Sequence, residues 1–325
     1  MAFERGLGFL ERPGVGAGRE VLPTCVADDQ TDVGTLSHAL RRLRHGQRLY
    51  VRGGTYDERV KLVARPGRPR ARIRVHNYPG ERPVLRGQLW LGDPSYWSIR
   101  GVNVRWGAAN PDEPLVRIYG GTGWKLTSSE IWGSRSTSGL QVDDGPRNNL
   151  GRWLVKGNCI HDTFPTDGLN QDHNVYVGDM SGSPSPRGVI SRNILFNAEN
   201  GRGIKLGPGG QAGGAVDVAV RFNTIYNSSQ NVSLSRDTTG VVLERNILVK
   251  ARESNITAYK LDGSANVIRQ NIADGAPVFL VKDGTPGSVI DGGGNLRGRN
   301  PRFDTIGCAG FHSTRFKSYG ARSNG

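Results

Sequence analysis

The sequence predicts an all-β fold, a single-stranded right-handed parallel β-helix with an N-terminal capping helix. Three observations predict it: an apolar strand leading into Asn that recurs through the second half, a second set of apolar strands ending in Gly or Asp, and a turn-rich composition. Only 36% of the 325 residues are hydrophobic while Gly reaches 47, which disfavours helical bundles and suits short strands joined by many turns. A chain of this length exceeds the usual single-core domain, and its repetition decides for one solenoid over two globular units.

The first set of strands reads Leu154-Val155-Lys156-Gly157-Asn158, Val189-Ile190-Ser191-Arg192-Asn193, Val218-Ala219-Val220-Arg221-Phe222-Asn223, Val241-Val242-Leu243-Glu244-Arg245-Asn246 and Val267-Ile268-Arg269-Gln270-Asn271, each followed by a further apolar pair or its equivalent. The Asn spacings of 35, 30, 23 and 25 residues correspond to one coil plus loops of variable size. A weaker copy ends at Asn103, and a degenerate one surrounds Ser129-Glu130-Ile131. Asn stacked at one corner can bond its amide to the next coil and to turn backbone, and it tolerates the left-handed angles a corner demands.

The second set comprises Leu140-Gln141-Val142-Asp143-Asp144-Gly145, Val175-Tyr176-Val177-Gly178-Asp179, Ile204-Lys205-Leu206-Gly207, Val232-Ser233-Leu234-Ser235 and Val278-Phe279-Leu280-Val281. Period-two alternation places Leu140, Val142, Val175, Val177, Ile204, Leu206, Val232 and Leu234 inside. Gln141, Tyr176, Lys205 and Ser233 then form an outward column, spaced by the inter-strand distance of about 4.8 Å.

The remaining segments fit this frame. Residues 1–45 form the N-terminal segment, in which Leu36, Ala39, Leu40 and Leu43 recur at helical spacing over 33–45, with Asp32 as the expected cap. That helix would cover the open edge of the first coil. The solenoid spans 46–295, opening with Leu49-Tyr50-Val51-Arg52-Gly53-Gly54-Thr55-Tyr56, and the pattern is lost over 296–325, expected to wrap the last coil. The cysteines, Cys25, Cys159 and Cys308, are odd in number and widely spaced, so neither a disulfide framework nor a metal-ligand pattern is expected. Cys159 reads as a small buried hydrophobe.

The net charge is +14, and residues 1–110 carry 19 Lys+Arg against 10 Asp+Glu. Such a field favours acidic partners: uronic-acid polymers, teichoic acids or nucleic acid. Arg65, Arg68, Arg70, Arg72 and Arg74 lack the interleaved aromatics of a nucleic-acid module, so a solvated or polysaccharide-facing edge is the better reading. Trp90, Trp97, Trp106, Trp124, Trp132 and Trp153 would offer stacking platforms for sugar wherever they point outward. No run of 18 apolar residues occurs, so membrane insertion is not expected. Nor does the N-terminus show a secretory signal. An extracellular or virion location is expected, reached through a signal outside this sequence or by release with a virus particle.

The Gly53-Gly54-Thr55-Tyr56 opening, the Asn repeat, and the segments Asp172-His173-Asn174-Val175-Tyr176-Val177 and Gly201-Arg202-Gly203-Ile204-Lys205-Leu206 resemble the pectin-lyase-like superfamily of parallel β-helices, over roughly residues 45–300. Members are mostly lyases, hydrolases or epimerases of polysaccharides, and others are phage tail proteins. The resemblance therefore implies a fold and leaves the chemistry to the site.

Aligned strands put His173 beside Arg202, and Tyr176 beside Lys205 and Gln141, with Asp143, Asp144 and Asp179 just past the strand ends. β-Elimination on a uronate needs a cation to neutralise the carboxylate and a base to take the C5 proton. Arg202 and Lys205 suit the first role, and His173, Tyr176 or Lys205 with a lowered pKa suits the second. Gln141, Asp143, Asp144, Asp179, Ser233 and Arg236 would bind substrate around them. A hydrolase would instead use paired carboxylates, Asp143 or Asp144 with Asp179. Polygalacturonase-like segments occur, Pro165-Thr166-Asp167-Gly168, Val142-Asp143-Asp144-Gly145 and Gly203-Ile204-Lys205, but in a different order and without Gly-His-Gly. Gln171-Asp172-His173 matches only part of the Asp-Pro-His segment of epimerases. No cofactor is required, although Asp143, Asp144, Asp172 and Asp179 offer hard oxygen ligands suited to calcium. Gly207 to Gly214 lacks the Lys-Ser or Lys-Thr of a phosphate loop and reads as an inter-coil loop.

The sequence thus implies a carbohydrate-active β-helix that binds and cleaves an acidic polysaccharide or cell-surface glycan, by elimination rather than hydrolysis. The alternative is a non-catalytic phage or virus tail protein acting at the host surface, with virion partners or a homo-oligomer. It is kept open by the lack of a signal, of disulfides and of a diagnostic catalytic motif.

Overall fold

The computed structural model describes residues 24–27, 35–107, 109–164 and 172–322. The chain winds through parallel strands arranged on three faces. The first face is an eleven-stranded sheet, and the second and third fuse into a sixteen-stranded sheet. They fuse because three long strands, Ile194–Leu206, Thr224–Arg236 and Ile247–Leu261, turn the corner without losing their pairing.

The interior is built as alternation requires. On the first face Leu126, Val155, Ile190, Val220, Leu243 and Ile268 stack in register and are buried. On the third, Leu140, Val142, Val175, Val177, Ile204, Leu206, Val232 and Leu234 are each fully buried, as expected. Burying each such side chain contributes about 1.5–3 kcal/mol, so the repeated aliphatic layers dominate the stability of the solenoid.

The Asn corner is a continuous buried ladder. Side-chain amides of Asn158, Asn193, Asn223, Asn246 and Asn271 donate to the Oδ1 of the next Asn at 2.9–3.1 Å. Each also donates to a carbonyl of the coil before, as Asn223 does to Ile190 at 2.9 Å. Asn295 extends the ladder by one rung that the sequence reading did not include. Asn103 lies one residue off the ladder position: it is level with Glu130 and accepts that residue's N–H at 2.8 Å. The left-handed residue is not the Asn but the one before it: Gly157, Arg192, Phe222, Arg245, Gln270 and Gly294 all have positive φ. The corner thus separates two jobs, reversal of the backbone and satisfaction of its polar groups.

A helix, Leu36–Arg42, packs Leu36 and Leu40 into the core and is capped by Thr35, whose hydroxyl accepts the His38 N–H at 3.2 Å. Asp32, expected in that role, lies outside the described residues. The Glu58 carboxylate accepts the amides of Leu36 and Ser37, which ties the helix N-terminus to the first coil.

The C-terminal segment runs back along the outside of the second face. Phe311 is fully buried against Phe196 and Tyr226, Thr224 donates to the Phe311 carbonyl at 3.2 Å, and Ala321 donates to Thr224 at 3.0 Å. Cys308 forms a disulfide with Cys159 across a sequence separation of 149. This corrects two expectations, the absence of disulfides and the reading of Cys159 as a plain hydrophobe. Cys159 faces outward, beside the inward Ile160, where the returning tail covers it.

Candidate functional site

The outward column expected on the third face exists and is longer than anticipated. Lys61, Trp90, Arg117, Gln141, Tyr176, Lys205, Ser233, Thr257 and Val281 are register partners in turn. Parallel in-register stacking brings residues from distant sequence positions within one strand spacing, about 4.8 Å, of each other. Three cations, Lys61, Arg117 and Lys205, share this column.

Around Lys205 the predicted residues converge. Its ammonium lies 4.8 Å from the centroid of the Tyr176 ring, and the His173 ring packs edge-on against Tyr176 at 5.8 Å. Burial, and then the Arg202 charge, pull the Lys205 pKa from 10.5 down to about 8. Burial raises the Tyr176 pKa, and Asp143 and Asp179 add to it, so the phenol stays protonated. Arg202 donates through Nε to Gln230 at 3.3 Å, and Gln230 in turn donates to Glu253 at 2.8 Å. Burial also lowers the Arg202 pKa, opposed by Glu253, Asp172 and Tyr259.

His173 is placed beside the cluster but is buried, and neither ring nitrogen has a hydrogen-bond partner. Burial, with Lys205 and Arg202 nearby, holds its pKa well below 6.5. The ring is therefore neutral and a weak base, which argues against the proton-abstracting role suggested for it. Its edge contact with the outward Tyr176, and the Lys205 and Arg202 charges beside it, put the ring among the side chains of the column rather than in the aliphatic interior.

The carboxylates serve the scaffold. Asp143 takes a two-pronged bond from Arg117 at 3.0 and 3.1 Å, and another from Gln141 at 2.9 Å. Asp144 accepts from the Ser183 hydroxyl at 2.6 Å. Its pKa is raised by burial, and Asp179 adds to that. Asp179 accepts from Ser181 N at 2.9 Å and Gly214 N at 3.2 Å. Among the described residues these acids and Asp172 do not meet in a group of three that could hold an ion. Ser233, expected to bind substrate, is buried at 1% exposure. Arg236 donates to the Gly209 carbonyl at 3.1 Å, holding the inter-coil loop. Thr166, Asp167 and Gln171 lie outside the described residues.

The six tryptophans divide between the interior and the surface. Trp90, Trp97, Trp124 and Trp153 are buried, leaving Trp106 and Trp132 partly exposed. Trp90 has Lys61 at 4.1 Å and Arg117 at 5.2 Å from its ring centroid, so cations cover the tryptophan of the outward column. Sequence reasoning missed Arg117, whose signal was its place in the column, and Asp172 as a group at the site rather than a calcium ligand. Asp172 is fully buried, its Oδ2 accepting Asn200 N at 3.0 Å while Oδ1 is unpaired. Burial raises its pKa from 3.8 to about 6.

No protein-family model and no curated protein matches this chain. Solved structures do. XylC, determined with xylose, superposes with a TM-score of 0.57 at 11% identity, covering 76% of this chain and 66% of XylC. The fold is a right-handed parallel β-helix. Pectate lyase Pel9A shares it with a TM-score of 0.51 at 14% identity, covering 78% of this chain and 73% of the lyase. A mannuronic acid specific family 6 polysaccharide lyase from the human gut microbiota does so with a TM-score of 0.51 at 13% identity, covering 84% and 82%. At these identities the likeness of this β-helix to them is one of fold.

Proposed function

We propose that this β-helix binds an acidic polysaccharide along its third face and cleaves it by β-elimination, with Lys205 as the base. The observation that carries the reading is a half-buried amine of pKa about 8 set over a protonated tyrosine, on a column that also bears Lys61 and Arg117. An amine with that pKa is partly neutral at pH 7–8 and can accept a proton, which an ordinary lysine cannot do efficiently. Arg202 pairs with the uronate carboxylate and stabilises charge that develops there as the C5 proton passes to Lys205. The C4–O bond then breaks, its electron pair leaves with the oxygen, and a C4=C5 double bond forms. The leaving oxygen takes a proton from the Tyr176 phenol.

The pectate and mannuronate lyases of similar fold support the substrate class, and the positive charge supports a polyanion. The Cys159–Cys308 disulfide supports an oxidising, extracellular setting and removes one premise of the tail-protein alternative. Incubation with alginate, pectate and glycosaminoglycans, read by the ultraviolet absorbance of unsaturated uronates, tests the reading. Product with one of these polymers, lost in Lys205→Ala, is the expected result. Binding without product would favour a non-catalytic glycan-recognition role.

A further inference from the structure

We infer that Cys159, His161 and Cys308 form a binding site for a thiophilic divalent cation, zinc above all, when their disulfide is reduced. The site lies on the second face and does not depend on the chemistry proposed at Lys205. The ligating atoms of the three residues already lie within 4.8 Å of one another. Tetrahedral zinc with Zn–S of about 2.3 Å and Zn–N of about 2.0–2.1 Å needs them roughly 3.5–3.8 Å apart, so the imidazole must approach by about 1 Å and the two sulfurs, about 2.05 Å apart while bonded, must part by about 1.7 Å once reduced.

The imidazole is held as a metal ligand would be. Its ring is stacked nearly parallel between Trp132, 6.4 Å away at 10°, and Phe196, 4.5 Å away at 3°. Nδ1 bonds to Asp162 at 2.8 Å and Nε2 to Glu130 at 3.1 Å. Whichever nitrogen turns to the cation, the other keeps a carboxylate, the arrangement that fixes the tautomer and strengthens a ligating histidine. The carboxylate so displaced, or water, supplies the fourth position. No short Cys-Cys spacing signals the site, because Cys159 and Cys308 are 149 residues apart and meet only through the returning tail.

The chemistry balances simply. A dithiol or phosphine reductant delivers two electrons to the disulfide and leaves two thiols. The cation then replaces their two protons, giving two thiolates and one neutral imidazole around it. The tail stays pinned to the coil in either state, by a covalent bond when oxidised and by the cation when reduced.

The test uses the full chain carrying Cys25→Ser, so that the third cysteine contributes nothing. After phosphine reduction, Co(II) is titrated in and the thiolate-to-cobalt charge-transfer band recorded, followed by displacement with Zn(II). One equivalent should bind with a two-thiolate spectrum, the oxidised protein should bind none, and His161→Gln or Cys308→Ser should weaken binding at least about tenfold. Circular dichroism checks that both variants keep the β-helix, and protease resistance of the reduced tail should rise when zinc is added. A reduced protein without the band, or a band unchanged in either variant, would overturn the inference.

Discussion

Replacing Asn223 by Ala removes the middle rung of the buried ladder. Its Oδ1 accepts the backbone N–H of Asn193 at 3.0 Å as well as the Asn193 amide at 2.9 Å, while its own amide donates to Asn246 and to the carbonyls of Ile190 and Arg221. Asn193 keeps Val155 as an acceptor for its side chain, and Asn246 Oδ1 keeps the Asn223 N–H. What is orphaned is the Asn193 N–H, together with a carbonyl valence at Ile190, in a buried corner; the Arg221 carbonyl keeps the Arg192 N–H at 3.2 Å. At about 1–3 kcal/mol for each buried group left unpaired, the substitution should cost about 2–6 kcal/mol. Asn295→Ala, at the half-buried end of the ladder, should cost about 1 kcal/mol because water replaces the lost bonds. Urea unfolding gives the difference, and hydrogen exchange of the neighbouring coils localises it, since a solenoid need not unfold in one step. Equal costs at both positions, or under about 1 kcal/mol at Asn223, would refute the ladder as a structural spine.

Other outcomes follow from the same geometry. Phe311→Ala, which empties the contact between tail and second face, should cost about 3–5 kcal/mol, measured by denaturant unfolding with the disulfide intact; a loss within error would mean the tail is only loosely applied. His173→Leu should leave cleavage within a few-fold and raise thermal stability, because two unpartnered ring nitrogens are replaced by apolar surface; abolished cleavage with unchanged stability would make the imidazole catalytic. The Asp172 pKa is raised in the folded state, so the native protein holds its proton between pH 3.8 and about 6. Its contribution to stability is complete below pH 3.8 and is lost as pH rises through about 6, and the difference between wild type and Asp172→Asn across that window should show it.

Much of this architecture is readable in the sequence because a solenoid repeats one local problem. The aliphatic pairs around Asn158, Asn193, Asn223, Asn246 and Asn271 declare both strand and corner, and period-two alternation then yields the column through Gln141, Tyr176 and Lys205. What repetition does not encode went unseen. The path of the tail depends on a patch formed by Ile194 and Phe196 on one coil and Tyr226 on the next, so its disulfide partner could not be read from spacing. Trp90 belongs to the outward face yet is covered by Lys61 and Arg117, a matter of side-chain reach rather than pattern. His173 reads in sequence as an accessible base, but in the fold its ring is buried beside Tyr176, Lys205 and Arg202, which strand alternation does not signal. Asp143, Asp144 and Asp179 look like catalytic carboxylates in sequence, but they hold turns and pair with Arg117 and Ser183 in the fold.

The pH dependence of uronate release, followed in wild type and Lys205→Ala, tests the proposed chemistry most directly. The wild-type rate should climb from neutral pH and level off above about 8, where the amine has lost its proton, and the variant should fall by about 10²–10⁴-fold with that limb gone. A variant that cleaves at the wild-type rate, or keeps the same rise with pH, would show that the proton is taken elsewhere.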